Sequence, residues 1–173
     1  MTRVVITGFG AISPLGLNAS DTWKGIVEGQ SGLGPITLFD TSNGFDVKYA
    51  AEVKNFDPKT ILEHKEVRRL DRFQILGHAA AAEAIKHSGL EITAENTTRI
   101  GVAVASGGGG LATMDDQFGT LHQNGPRSMS PFGITKIMSN GASGSVSILH
   151  GIQGPSFSVA SACASGADAI GRL

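Results

Sequence analysis

The stretch GPSFSVASACASG, Gly154 to Gly166, decides how this chain folds. It opens on Gly154-Pro155, a turn dipeptide. Ser156 to Ala160 follows as a short predicted strand, and Cys163 lies three residues past it, where a helix would begin. Ser161, Ala162, Ala164, Ser165 and Gly166 surround the cysteine with small side chains. A thiol at such a junction lies beside the unpaired backbone N–H groups of a helix start, which favour the thiolate. The same amides can hold the oxyanion formed when a thiolate attacks an acyl carbonyl. The alternative is a small side chain filling a pocket, and placement alone leaves both readings open.

Working outward, Val4, Val5 and Ile6 form a β-branched run ending at Gly8, the pattern of a strand buried on both faces. Ser20 is the expected N-cap of a short helix carrying Trp23, Ile26 and Val27 and stopping near Gly29. Residues 32 to 56 mix turns and short extended pieces. Asp57-Pro58 reads as a helix start, cap followed by proline. Phe73, Leu76, Ala80, Ala84 and Ile85 recur at helical spacing, with Gly89 placed to end that helix. Residues 99 to 105 form a second predicted buried strand, which runs into Ser106 and four glycines. Leu111, Met114, Phe118 and Leu121 mark another helix, ended by Asn124-Gly125-Pro126. A further one is expected from about Ile134 to His150, with small residues at Gly141, Ala142, Ser143 and Gly144 for close packing. Strands alternating with helices imply a mainly parallel sheet in a layered α/β fold.

A chain of 173 residues with 40% apolar residues can bury a core, which argues against disorder. Its 14 basic and 15 acidic residues create no global field that would draw it onto nucleic acid or a membrane surface. Glycine is the outlier at 24, about twice the ~7% usual, so the backbone repeatedly needs tight turns or close approach. One cysteine excludes an internal disulfide and a cysteine metal site, and fits a reducing, cytoplasmic compartment. Gly and Pro interrupt the apolar start too early for a signal peptide. No apolar run approaches the ~20 residues that cross a bilayer.

The Gly154 to Gly166 run resembles the active-site segment of the β-ketoacyl-acyl-carrier-protein synthases, especially the type II enzyme of dissociated fatty-acid synthesis. Further landmarks follow in the family's order: Val4 to Gly8 with Ser13-Pro14-Leu15-Gly16, Phe39-Asp40, Arg69 to Phe73, Ser106-Gly107, Gly125-Pro126-Arg127, and Ser130-Pro131-Phe132. The resemblance spans essentially the whole chain. It implies a thiolase-type layered α/β fold of two similar halves pairing as a homodimer, of which residues 1–173 would be part of the first half, cut shortly after the nucleophile. It also implies that Cys163 is acylated by a carrier-protein thioester. Malonyl-carrier protein then loses CO₂, and its enolate attacks the acyl-cysteine. Two histidines of the second half assist, so this chain alone is expected to be inactive in condensation. No cofactor or metal is implied.

By the same resemblance, Gly108 and Gly133 fall at acyl-pocket positions where the family usually carries larger apolar residues. These departures suggest either a deeper pocket or neighbouring side chains filling the space. Lys65, Arg68, Arg69 and Arg127 match basic positions that meet the acidic carrier protein; without the resemblance they read as a solvated face paired with Glu63 and Glu66. His64, His78, His87, His122 and His150 are expected in solvated or structural roles. Gly8-x-Gly10-x-x-Ser13 fails as a dinucleotide fingerprint at its third position, and Gly107 to Gly110 lacks the Lys-Ser/Thr of a phosphate loop. Two other readings are a non-catalytic chain-length-factor-like partner, which usually lacks the cysteine, and a polyketide ketosynthase or thiolase-type sibling.

Overall fold

The computed structural model describes residues 3–172. The chain divides into two compact units, Met1–Asp57 with Ala79–Leu90, and Pro58–His78 with Glu91–Leu173.

The first unit holds helix α1 (Ala19–Val27) and the antiparallel strands β1 (Leu33–Pro35) and β2 (Tyr49–Ala51), paired Leu33 with Ala51 and Pro35 with Tyr49. Asn18 caps α1, its side chain accepting the Asp21 N–H at 2.8 Å. The expected cap, Ser20, is already inside the helix; the turn begins two residues earlier because Asn18 is extended and its amide reaches the third residue on. The later part of helix α3 (Arg72–Ser88) also belongs to this unit. Its Glu83 accepts backbone N–H groups from Ala11 and Ala19 at 2.9–3.1 Å, tying the N-terminal segment to the helix. Gly8 and Gly10 pass so close that an added Cβ would lie 2.6 Å and 2.2 Å from the Ala84 and Ala80 carbonyls.

The buried strand expected at residues 4–6 does not form. These residues have no regular secondary structure and no ladder among the described residues, and Val4 is 83% exposed. Branching at Cβ favours extended backbone, but a strand also needs a neighbouring backbone to pair with.

The second unit contains α2 (His64–Val67), the start of α3, β3 (Val102–Ala103), α4 (Leu111–Asn124), α5 (Gly133–Ile137), α6 (Gly141–His150), β4 (Ser156–Phe157) and α7 (Ser165–Gly171). Strands β3 and β4 run parallel, Val102 opposite Ser156 and Ala103 opposite Phe157. The sheet is therefore shorter than expected, with one parallel and one antiparallel pair among the described residues. Asp57-Pro58 opens only a single 3₁₀ turn, Pro58–Thr60. The helix expected across residues 134–150 is two helices, broken where Met138 becomes extended at ψ 130°.

The buried apolar side chains Leu62, Ile75, Val102, Ala142, Val146, Ile152 and Ala169 belong to this unit. At its centre Ser143, fully buried on α6, accepts the Val104 N–H at 2.9 Å and donates to the Phe157 carbonyl at 2.6 Å. One hydroxyl thus joins α6 to both parallel strands, fixing where β4 delivers the chain to Cys163. Among the described residues no helix is long and apolar enough to cross a membrane.

Candidate active site

Beyond β4 the chain turns through Ala162–Ala164 as a 3₁₀ turn and enters α7. Cys163 is exposed in this turn, ahead of Ala164, which caps α7. The thiol therefore lies in the turn that precedes the helix, just short of the helix start read from sequence. Ala162 has φ 49°, a left-handed conformation that costs a non-glycine residue roughly 1–2 kcal/mol. Such strain persists only where surrounding structure holds it, and it concentrates at functional sites.

Several contacts hold the turn. Ser165, buried at α7's first position, accepts the Ser161 N–H at 2.9 Å and donates to the Ala162 carbonyl at 2.7 Å. The Ser161 hydroxyl donates to the Asp168 carboxylate. The Ala164 N–H is used within the turn, bonding to Ser161 O at 3.1 Å, whereas the Cys163 N–H takes no part in the turn's backbone bonds among the described residues. That amide is available to an oxyanion developing next to the sulfur.

The glycine loop backs onto the same turn. A Cβ on Gly107 would lie 3.1 Å from the Ala162 carbonyl oxygen and 3.2 Å from its Cα, so only a residue without a side chain lets the two backbones meet. Gly108 is exposed, and a Cβ there would meet the Leu111 side chain at 3.2 Å. Gly133 is buried, with Gln117 Oε1 3.4 Å from where its Cβ would be. At both positions a neighbouring side chain occupies space that a larger residue would take. Neither glycine lines the apolar cavity of about 370 Å³ whose walls include Phe132, Met138 and Ile148.

The basic positions separate by environment. Lys65 pairs with Glu63 at 2.9 Å, and the Arg69 guanidinium lies 5.3 Å from the centre of the Phe132 ring. Arg68 and Arg127 are exposed. The histidines are engaged elsewhere: His87 accepts the Phe9 N–H at 3.1 Å, His78 and His150 stack with ring centres 5.0 Å apart, and His64 and His122 are exposed. Among the described residues no group of three or more His, Cys, Asp or Glu could hold a metal ion.

Burial pushes the His78 pKa down to about 4, with the charge of His150 adding to the effect, and burial lowers that of His150 as well. An unfolded histidine takes up its proton near 6.5. Between pH 6.5 and about 4 the unfolded chain therefore binds more protons than the folded one. Stability present above pH 6.5 is lost as the pH falls through that window. Urea unfolding of the wild type should show ~2 kcal/mol less stability at pH 4.5 than at pH 7. His78→Leu should lose less than half as much; an unchanged difference would remove the pair as the cause.

A cysteine on a strained turn between a parallel strand and a helix, backed by a glycine loop, defines an α/β thiol scaffold. Solved structures share the fold. A type II polyketide acyl-carrier protein in complex with its ketosynthase bound to the hexaketide matches 99% of this chain and 45% of its own at a TM-score of 0.83 and 24% identity. The ishigamide ketosynthase/chain length factor matches 91% and 40% at a TM-score of 0.80 and 28% identity. The fold is thus of the thiolase type. The family "Beta-ketoacyl synthase, N-terminal domain" matches residues 1–173, and the chain belongs to that family. Its relatives include the 3-oxoacyl-[acyl-carrier-protein] synthase 2 of Coxiella burnetii (strain RSA 493 / Nine Mile phase I), 44% identical over 170 residues, and that of Synechocystis sp. (strain ATCC 27184 / PCC 6803 / Kazusa), 43% identical over 169. Each alignment covers 98% of this chain, which spans about two fifths of the relatives' length, 41% and 40%.

Reading the sequence alone missed the left-handed Ala162 and the Ser161–Asp168 contact. The run of small residues around Cys163 was the available signal, since small side chains tolerate tight backbone best.

Proposed function

We propose that this chain is the nucleophile-bearing part of a 3-oxoacyl-acyl-carrier-protein synthase of fatty-acid biosynthesis. The Cys163 sulfur attacks the carbonyl of an acyl-carrier-protein thioester, a new thioester forms on the cysteine, and the carrier thiol leaves with the proton. Malonyl-carrier protein then loses CO₂, and its enolate displaces the cysteine to give the chain-extended ketoacyl product. The observation that carries this reading is the exposed thiol beside its own uncommitted N–H, on a turn held in a strained conformation. Identity of 41–44% to 3-oxoacyl-[acyl-carrier-protein] synthase 2 proteins over nearly the whole chain supports the fatty-acid pathway over the polyketide one. Retention of the cysteine separates it from a chain-length-factor-like subunit.

Acyl transfer from an octanoyl thioester, followed by mass spectrometry of the Cys163 peptide, tests this reading directly. The 173-residue chain should take up the acyl group yet make no ketoacyl product from malonyl thioester, because His87 is bonded to the Phe9 N–H and His78 and His150 stack on one another. An unlabelled Cys163 would reject the nucleophile, and ketoacyl product from this chain alone would reject the need for further residues.

In the complete enzyme the reading includes a cytoplasmic homodimer, which would cover apolar side chains such as Trp23, Ile148 and Ile170, now 67%, 81% and 75% exposed. The acyl chain would run past Gly108 and Gly133, with Leu111 and Gln117 limiting its depth. Carrier protein would dock on Lys65, Arg68, Arg69 and Arg127. Because Lys65 and Arg69 already have local partners, Arg68→Glu and Arg127→Glu test docking most cleanly. Together they should raise the carrier-protein KM roughly 3- to 10-fold with kcat nearly unchanged; an unaltered KM would remove the docking role.

A further inference from the structure

Asp71 is buried, and its one carboxylate serves two helices. Its Oδ1 accepts the Phe73 N–H at 3.0 Å, capping α3. Its Oδ2 accepts the Thr113 hydroxyl at 2.5 Å and the Thr113 N–H at 3.3 Å, in the first turn of α4. Helix α4 needs that service, because the residue at its own capping position, Gly110, has no side chain to supply a bond. Gly110 must lack one: a Cβ there would sit 2.9 Å from Asp71 Oδ2 and 2.4 Å from the Lys136 carbonyl.

The start of α4 is continuous with the glycine loop. Ser106 Oγ accepts the Gly109 N–H at 2.9 Å, and the Gly110 N–H bonds to the Ile137 carbonyl at 3.1 Å. Gly107, at the other end of the loop, abuts the backbone of Ala162. A continuous set of contacts therefore runs from the Asp71 carboxylate, through α4 and the glycine loop, to the left-handed residue that orients Cys163.

We propose that Asp71 is a positioning residue for the Cys163 turn, acting through the N-terminus of α4 and the loop of residues 106–110. This rests on Cys163 being the acyl-accepting nucleophile. Acylation and simple alkylation of the thiol then respond differently. Iodoacetamide needs only an exposed thiolate, whereas attack on a thioester also needs the Cys163 N–H held toward the developing oxyanion.

The test compares two rates on the 173-residue chain: acylation of Cys163 by octanoyl-N-acetylcysteamine, and its alkylation by iodoacetamide. Asp71→Asn should slow acylation about tenfold and alkylation less than about twofold. Thr113→Val, a milder change that removes only the hydroxyl partner, should slow acylation about threefold, and Thr113→Ser should restore it. Combining Asp71→Asn with Thr113→Val should add little beyond the first, since both act on one contact. Glu52→Gln is the control for losing a buried carboxylate, because Glu52 bonds Thr37 and Leu38 in the other unit. It should leave both rates unchanged. Equal slowing of the two rates, or an Asp71 variant with wild-type acylation, overturns the proposal. A wild-type chain acylated no faster than free cysteine instead overturns the nucleophile reading beneath it.

Discussion

Cys163→Ala should abolish acyl transfer to this chain, lowering thioester acylation by at least about 10³-fold. The nucleophile is the atom that forms the new bond, so its removal cannot be offset by the rest of the site. Cys163→Ser should fail almost as completely. A serine hydroxyl stays protonated near neutral pH and needs a base within hydrogen-bond reach. Three of the histidines are already engaged elsewhere, His87 with the Phe9 N–H and His78 and His150 stacked on one another. Intact-mass measurement after incubation with octanoyl thioester gives the result in one step. Continued labelling of the alanine variant would move the acyl acceptor elsewhere, with the neighbouring Ser161 hydroxyl the first place to look.

The second large effect concerns the loop behind the nucleophile. Gly109→Ala should destabilise the fold by roughly 3 kcal/mol, from two separable costs. Gly109 has φ 66°, and an added Cβ would lie 2.2 Å from the Ile137 carbonyl oxygen. The first cost is the left-handed backbone, about 1 kcal/mol or somewhat more for alanine. The second is a collision with backbone, which cannot rotate aside as a side-chain tip could. Gly29→Ala isolates the first, since Gly29 has the same φ of 66° and nothing within 4 Å of the added carbon. It should cost about 1 kcal/mol. Denaturant midpoints of the two variants measure the difference, and equal losses would show that the loop moves aside at no cost.

Much of the local structure was legible before any coordinates. The helix over Arg72–Ser88 follows from its spacing and alanine run, and Gly89, Gly125 and Gly151 stand at helix ends with φ of 66°, 79° and 69°. The strand-turn-helix around Cys163 was legible too, as was the family resemblance it carries. Other readings failed where a local signal met a non-local requirement. Residues 4–6 have strand propensity without a paired neighbour. The helix read across residues 134–150 breaks at Met138, where the backbone of Gly109 and Gly110 packs against Ile137 and Ser139.

The order of side chains alone determined where helices start and stop and that a lone thiol follows a short strand, because caps, glycines and periodicity act between residues a few positions apart. Tertiary structure decided that Asp71 caps a second helix, that His78 meets His150, and that Gly107 props Ala162. Those contacts depend on hydrogen-bond partners and desolvation supplied by segments far away in the chain, and only the folded backbone brings them within reach.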